Sequence, residues 1–159
     1  MAEAVGNDIL SSMTIFEAPK AMPGGPLETS RAVFERCKEY QKADREMMLC
    51  LYLNSKNALL HVEVHSIGTI DSSAVYPREI VRVALMRSAS SIILVHNHPS
   101  GDPEPSVCDK EITRAAWCAC KLMGISVLDH VILGSGTFYS FADHGLMEDY
   151  GLFFSRLGF

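Results

Sequence analysis

The apolar run at residues 92–95, with the segment that follows it, constrains the fold more than any other part of the sequence. A short apolar run of this kind is typical of a buried strand. His96 and His98 follow it directly, and because side chains alternate along a strand, the two imidazoles are expected to project to the same side. Seven residues, three of them prolines, then separate His98 from Ser106, where a helix is predicted to begin. The sequence therefore predicts a buried strand, a stiff loop and a helix, with two histidines at the junction.

Asp109 lies three residues beyond Ser106, in the first turn of this predicted helix. Catalytic zinc sites usually combine three protein ligands, drawn from histidine, carboxylate and thiolate side chains, with a fourth position for water. Zinc lowers the pKa of that water to about 7, so that hydroxide forms at neutral pH. His96, His98 and Asp109 are therefore the predicted ligands of a divalent metal, and their pattern indicates an enzyme.

Hydrolysis at such a site also needs a carboxylate that takes the proton of the water without binding the metal. Glu46, which directly precedes the predicted strand at residues 47–53, is the candidate for this general base. The hydroxyl of Ser106 could stabilise the oxyanion that forms when a carbonyl is attacked. Ser106 and Asp109 also fit a capping box, in which both residues only stabilise the start of a helix. One serine can serve both roles, so the two interpretations of Ser106 stay open together.

Two other groups of polar side chains are alternative candidates for a role in a metal site. His61, Glu63 and His65 alternate along a predicted strand and would share one face. Any half-exposed strand shows such alternation, so this face is interpreted as solvated rather than as a second metal site. Asp129 and His130 are adjacent in a predicted strand and point to opposite faces, so at most one of them can approach the first set. Structural packing is the favoured role for both.

The rest of the chain alternates between helix and strand patterns. The predicted elements are a helix from Thr29 or Ser30 to about residue 41, strands at 47–53 and 58–65, a helix from Pro77, a strand at 91–95, a helix from Ser106 to Gly124, and strands at 125–133 and 137–141. This order, α-β-β-α-β-α-β-β, favours a mixed β-sheet flanked by helices in an α/β layer structure. A length of 159 residues, 48% of them apolar, suits one well-buried core rather than two.

The two ends of the chain differ from this body. Residues 1–26 lack sustained periodicity and end in the turn-rich sequence Pro-Gly-Gly-Pro, so they are expected to form a flexible leader ahead of a domain at residues 27–147. Residues 148–159 form an apolar, aromatic tail that would be costly to leave in water. The tail is predicted to pack on its own domain, and an oligomer contact is the alternative.

Charge and cysteine content limit the classes of partner and compartment. The net charge is -5, the isoelectric point is about 5.6, and lysine and arginine are dispersed, so the charge does not support nucleic acid as a partner. The N-terminus lacks the basic and apolar regions of a signal peptide, and no stretch approaches the length of a membrane span. Five cysteines without a repeated spacing fit a reducing compartment. The protein is therefore predicted to be cytoplasmic, with no membrane partner.

The residues described above resemble a known signature. Two histidines one residue apart, then seven residues, Ser106, two residues and Asp109, with an upstream glutamate, resemble the JAMM signature of the JAB/MPN metalloprotease superfamily. Further stretches are similar to one branch, the RadC family, and these are residues 68–73, 77–79, 96–103, 129–130 and 139–141. The resemblance covers about residues 28–147.

This resemblance implies the fold of the JAB/MPN superfamily, which is similar to that of cytidine-deaminase-like zinc enzymes. It implies zinc ligands at His96, His98 and Asp109, an oxyanion-stabilising role for Ser106, and a general acid and base at Glu46. The implied reaction is the cleavage of an amide, in a peptide or an isopeptide bond, by a metal-activated water. Deamination is set aside, because zinc deaminases need H-x-E together with P-C-x-x-C and the chain does not contain this pair of motifs.

One departure from the family pattern bears on function. Many RadC relatives carry an N-terminal helix-hairpin-helix-like region suited to DNA, whereas only 26 residues precede the predicted domain here. The family's link to DNA repair still implies an alternative function, that of a DNA-repair-associated accessory protein acting on or near DNA. A catalytically inactive scaffold is a third alternative, although inactive relatives typically lose ligands that this chain retains.

Overall fold

The computed structural model describes residues 24–68 and 75–158 of the 159-residue chain. The strands are β1 (Met47–Leu53), β2 (Leu59–Ile67), β3 (Ser91–Asn97), β4 (Ser126–Leu133) and β5 (Phe138–Ser140). The helices are α1 (Ser30–Cys37), which a 3-10 helix (Lys38–Lys42) continues, α2 (Pro77–Met86), α3 (Val107–Leu122) and α4 (Leu146–Arg156). The strands form a five-stranded sheet in the order β2-β1-β3-β4-β5. The predicted mixed sheet flanked by helices is confirmed.

The strand directions place the end of β3 next to the start of α3. Of the pairings in the described sheet, β3 with β4 is parallel, whereas β1 with β2, β1 with β3 and β4 with β5 are antiparallel. Parallel neighbours need a crossover connection, and α3 supplies it here. The chain therefore turns from β3 into α3 above one edge of the sheet, where it also meets the beginning of β1.

Two apolar cores cover the two faces of the sheet. Every residue of β1 and of β3 is buried, because these strands lie between the two cores. On one face, side chains such as Leu51 and Val95 pack against α1. On the opposite face, side chains such as Cys50 and Leu94 pack against α2 and α3. A strand between two such layers is apolar on both sides, which accounts for the unbroken apolar runs in the sequence.

The alternation predicted for β2 is partly wrong. A register shift near the end of β1 places Leu59 opposite Leu53. Leu60, which strict alternation would place on the apolar face with Val62 and Val64, is 45% exposed. A shift of one residue exchanges the two faces of a strand, because side-chain directions alternate. The irregular pairing between β1 and β2 therefore reassigns the core position from Leu60 to Leu59, which packs against the core beside α1.

The polar face of β2, predicted to be solvated, is partly exposed to solvent. His61, Glu63 and His65 are each of intermediate exposure. His61 Nε2 lies 2.7 Å from Glu63 Oε2, and His65 Nε2 lies 2.7 Å from the hydroxyl of Tyr52 on β1. Burial lowers the pKa of His65. These contacts tie the polar side chains to one another and to the neighbouring strand.

Most of the predicted tail at residues 148–159 lies in α4. Tyr150 and Phe154 are buried on one side of this helix, and the Phe154 ring meets that of Trp117 in α3 edge-on, with 5.6 Å between ring centroids. Leu152 and Phe153 are exposed on the other side. The helix is therefore amphipathic and packs through its buried side against α3.

Some predictions fall outside the described residues. Residues 1–23, the larger part of the expected leader, lie outside them, as do residues 69–74 and Phe159. In the ranges that are described, no helix combines the length and the apolar character that crossing a membrane requires.

Candidate metal centre

Three predicted ligands meet where β3 ends and α3 begins. His96 lies in β3, and His98 follows the strand, held by a hydrogen bond of 2.9 Å from its backbone N–H to the carbonyl of Leu133 on β4. Asp109 lies in the first turn of α3. The side chains of His96 and Asp109 are each 1% exposed and that of His98 is 12% exposed. The structure thus brings these three side chains together in a largely buried site.

Asp109 lies close to both histidines, through a different carboxylate oxygen in each case. Asp109 Oδ1 lies 3.0 Å from His96 Nδ1, and Asp109 Oδ2 lies 3.4 Å from His98 Nε2. The two imidazole rings stand edge-to-face with 4.8 Å between their centroids. Two ligand atoms bound to one tetrahedral zinc ion, at bond lengths of about 2.0–2.1 Å, lie roughly 3.3 Å apart. The separation of Asp109 Oδ1 from His96 Nδ1 is close to that value, whereas the carboxylate oxygen near His98 is Oδ2.

The loop after β3 fixes which nitrogen of His98 can bind a metal. His98 Nδ1 lies 2.7 Å from the carbonyl oxygen of Asp102. A carbonyl oxygen can only accept, so Nδ1 carries the hydrogen and Nε2 presents its lone pair. Metal-binding histidines commonly donate their second nitrogen to a carbonyl in this way, which orients the ring.

Two side chains of the site carry buried polar atoms that have no hydrogen-bond partner among the residues that the structure describes. These atoms are Nδ1 and Nε2 of His96 and Oδ1 of Asp109. Although Asp109 Oδ1 and His96 Nδ1 are only 3.0 Å apart, the N–H direction does not fit a hydrogen bond between them. Leaving such atoms unpaired costs about 1–3 kcal/mol each. A cation bound between them would satisfy the donor set, so the residues present fit a divalent metal.

Glu46 lies beside the two histidines, directly ahead of β1. Its carboxylate and one ring nitrogen each of His96 and His98 lie within 4.8 Å of one another. This group of three, which does not include Asp109, is the one convergent group of potential metal-binding side chains among the residues described. Glu46 is half-buried and directly precedes β1, which pairs with β3. His61, Glu63 and His65 do not converge in this way.

Ser106 forms the capping box that was the alternative interpretation of its motif. Its hydroxyl accepts from the backbone N–H of Asp109 at 3.1 Å and donates to Asp109 Oδ2 at 2.8 Å. The backbone N–H of Ser106 donates to the same carboxylate oxygen at 2.7 Å. Asp109 Oδ2 is therefore occupied by Ser106, and Oδ1 remains for a metal.

The electrostatics of the site favour a charged carboxylate. Burial by itself would raise the pKa of Asp109, but contacts with His96, His98 and Ser106 outweigh it and hold the pKa well below its usual range. The Asp109 carboxylate in turn raises the pKa of His98, against the effect of burial.

Of the adjacent pair Asp129 and His130, one side chain approaches the site, as the alternation of a strand requires. The ring of His130 lies on the side of His96, with 6.2 Å between centroids. Asp129 accepts from the Ser140 hydroxyl at 2.6 Å and from the Ala142 backbone N–H at 2.9 Å, away from the candidate ligands. Asp129 therefore serves to hold the turn after β5, and burial raises its pKa.

Sequence reasoning missed two buried polar residues around the site, namely Asn97 and Thr113. For Asn97 a signal was available, because it is a polar side chain inside an apolar strand and stands between two predicted ligands. Thr113 lies one helical turn beyond Asp109, and its hydroxyl donates to the carbonyl of Asp109. Nothing in the spacing alone connects Thr113 with His130.

The loop that carries His98 packs closely against the turn between β4 and β5. The backbone N–H of Ser135 donates to the carbonyl of Gly101 at 2.9 Å. A Cβ atom at Gly134 would lie 2.5 Å from that carbonyl oxygen and 2.8 Å from a ring carbon of Pro103. Only glycine allows so close an approach of the two segments. The turn therefore supports the loop from outside the site.

Comparison with known proteins places this site in a family. A family model described as a RadC-like JAB domain matches residues 27–146. The chain belongs to the RadC family. The RadC-like match includes the five predicted site residues, which are Glu46, His96, His98, Ser106 and Asp109.

Relatives of the RadC family agree with this assignment over most of the chain. A UPF0758 protein of Methanosarcina mazei is 42% identical over 135 residues, which are 85% of this chain and 58% of that protein. A UPF0758 protein of Halalkalibacterium halodurans is 48% identical over 120 residues, or 76% of this chain and 50% of that protein. This RadC-like chain thus spans about half the length of these curated relatives. The name UPF0758 specifies no reaction.

Proposed function

We propose that this protein is a zinc-dependent metallohydrolase of the JAMM type that cleaves an amide, in a peptide or an isopeptide bond. The observation that carries the proposal is the cluster of unpartnered ligand atoms on His96 and Asp109, with His98 and the Glu46 carboxylate beside them. Membership of a family with a JAB domain supports the same chemistry.

His96, His98 and Asp109 would hold the metal through a ring nitrogen of each histidine and Oδ1 of the carboxylate. When bound, zinc supplies Lewis acidity and a water whose pKa is about 7. The protein orients these ligands with hydrogen bonds outside the site, since Asp102 holds Nδ1 of His98 and Ser106 holds Oδ2 of Asp109. Such outer contacts commonly tune both the affinity and the geometry of a metal site.

Glu46 acts in this proposal as general base and then as general acid. Its carboxylate takes a proton from the attacking water and later gives a proton to the leaving nitrogen. The carboxylate lies within 4.8 Å of a nitrogen of His96 and of His98, so a water held beside the histidines would be within its reach. Because Glu46 is half-buried rather than enclosed, substrate and water can both reach it.

Ser106 stabilises the developing oxyanion in this proposal, in addition to capping α3. Its hydroxyl hydrogen, which now points to Asp109 Oδ2, has to turn toward the carbonyl oxygen of the substrate. The backbone N–H of Ser106 continues to hold Asp109 during that change. The helix cap and the reaction therefore share one side chain without requiring the same hydrogen bond.

Metal analysis is the first test of this function. Purified protein should carry close to one zinc ion per chain, and His98→Ala should carry much less under the same conditions. If neither form holds stoichiometric metal, the proposal fails. Activity is then sought by screening zinc-loaded protein against peptide and amide libraries, with Glu46→Gln as the blank that retains the metal ligands.

The wider setting of this reaction is part of the proposal. The substrate is a peptide-like or isopeptide-like partner, and a net charge of -5 gives nucleic acid no support as one. The exposed side of α4, with Leu152 and Phe153, is a candidate contact between copies of the chain. We place the protein in the cytoplasm on the basis of its cysteine usage.

A further inference from the structure

Asn97 holds the backbone on both sides of Glu46. The Asn97 amide Oδ1 accepts from the backbone N–H of Met47 at 2.7 Å, and Nδ2 donates to the carbonyl of Arg45 at 2.9 Å. The Asn97 side chain is fully buried. These two hydrogen bonds enclose one residue, Glu46, which lies about fifty positions away in the chain but next to Asn97 in space.

The two hydrogen bonds continue the sheet beyond its last backbone pair. The pairing of β1 with β3 ends where Met48 stands opposite His96. At the next position along β1, Met47, no backbone group of β3 serves as a partner, and the side-chain amide of Asn97 forms the hydrogen bonds instead. A third hydrogen bond, from the N–H of Gly68 to the carbonyl of Glu46 at 2.9 Å, restrains the same segment from the side of β2.

We propose that Asn97 is a positioning residue, which holds the Glu46 carboxylate at a set distance from the metal ligands. Asn97 stands between His96 and His98, so the short segment that presents the ligands also restrains the general base. An amide is needed because it supplies a donor and an acceptor together, whereas a carboxylate lacks the donor and an apolar side chain lacks both. This inference rests on the role of Glu46 in the proposed function.

A double-mutant cycle on zinc affinity separates positioning from a merely structural role. Dissociation constants are measured by competition with a chromophoric chelator for the wild type, Glu46→Gln, Asn97→Leu and the double variant. Removing the charge at Glu46 should weaken zinc binding about tenfold, as Coulomb's law gives for a carboxylate near a divalent ion. Asn97→Leu should weaken zinc binding by about fivefold alone but by less than about twofold when Glu46→Gln is already present.

Two further variants test whether the effect of Asn97→Leu comes from a general loss of stability or from failure to fold. Ile93→Ala removes a buried side chain from the same strand and the same face of the sheet as Asn97, without a hydrogen bond to Arg45 or Met47. It should lower stability but leave zinc affinity within about twofold. If Asn97→Leu does not fold, Asn97→Thr replaces it, since the threonine hydroxyl can still accept from Met47, and a smaller loss of the same kind is expected.

The outcomes distinguish this inference from the proposed function. If Asn97→Leu weakens zinc binding equally in both backgrounds, Asn97 acts on the ligands directly and its positioning of Glu46 is overturned, while the metal site stands. If Ile93→Ala weakens binding as much as Asn97→Leu, the effect is general loosening and the inference is also overturned. If the wild type binds no zinc, the proposed function fails, and the inference fails with it.

Discussion

Thr113 Oγ1 and His130 Nδ1 lie 2.6 Å apart in the interior of the protein. The single proton of the Thr113 hydroxyl is donated to the carbonyl oxygen of Asp109, so His130 must be the donor to Thr113 through Nδ1–H. His130 Nε2 then carries a lone pair, and it is buried without a hydrogen-bond partner among the described residues. Burial lowers the pKa of His130 to about 3. A neutral histidine therefore connects β4 to the turn of α3 that presents Asp109.

The protein should lose stability in mild acid because of His130. Its folded-state pKa of about 3 lies below the ordinary value of 6.5, so the unfolded chain binds the proton first as the pH falls. The stabilising contribution of His130 is present above about pH 6.5 and is lost progressively toward pH 3. Its loss should lower the free energy of unfolding by about 2 kcal/mol between pH 8 and pH 5. Urea unfolding of metal-free protein at several pH values measures this slope. His130→Gln, which cannot titrate, should show a smaller decline, and an equal decline in both proteins would contradict the assignment.

Zinc should stabilise the folded protein, since the unpartnered atoms of His96 and Asp109 become satisfied. With free zinc at roughly 1,000 times its dissociation constant, the free energy of unfolding should rise by about 4 kcal/mol. Thermal unfolding with zinc and with a chelator checks this gain. His98→Ala should remove most of it, whereas His61→Ala, in the rival histidine group on β2, should retain it. If the gain were lost in His61→Ala instead, the metal would be bound by the histidine group on β2.

Gly134→Ala should damage the metal site without touching a ligand. The new Cβ would lie 2.5 Å from the carbonyl oxygen of Gly101, so the loop that carries His98 has to move. We expect zinc affinity to fall and the free energy of unfolding to drop by about 1–3 kcal/mol. Gly136→Ala in the same turn is the matched control, because its φ of 69° makes the substitution strained while no atom lies within 4 Å of the new Cβ. That control should lose stability but keep its zinc affinity, and equal affinities in the two variants would disprove the supporting role of Gly134.

Ser106→Ala should separate the capping role of this residue from its proposed catalytic role. Loss of the cap alone should lower the free energy of unfolding by about 0.5–2 kcal/mol. Thr29→Ala removes the corresponding cap of α1, where the threonine hydroxyl accepts from the N–H of Ala32 at 3.1 Å, far from the metal ligands in the chain. Once a substrate is known, Ser106→Ala should also lower kcat by about 100-fold or more, as the loss of one oxyanion donor does, and Thr29→Ala should not. An unchanged kcat in Ser106→Ala would leave Ser106 with the cap only.

The strands and the first three helices of this fold were predictable from local patterns, whereas helix α4 was predicted only as an apolar tail and the long-range register was not predictable. The apolar runs of β1 and β3 and the spacing from His96 to Asp109 are local signals, because strand and helix periods act over a few residues. The exposure of Leu60 depends on an irregularity in the pairing of two strands, which leaves no trace in the alternation itself. Contacts such as the one between Asn97 and Met47 require the register of β1 against β3, which only the packed sheet defines.

In the candidate site too, local features were predictable and long-range contacts were not. Ser106 and Asp109 could be connected by their spacing, and the structure joins them in a capping box. The link from Thr113 to His130 joins α3 to β4 across the core, and it exists because the parallel crossover brings these two elements together. Sequence reasoning therefore identified the side chains that face one another at the site but not those that hold them in place.

The three proposed ligands differ in how readily solvent reaches them. His96 and Asp109 are 1% exposed, whereas His98 is 12% exposed. His98 is thus the ligand of the proposed site that a chelator can approach most directly. We therefore expect chelator-driven loss of a bound metal to begin with release of the His98 imidazole, whose other nitrogen the Asp102 carbonyl holds.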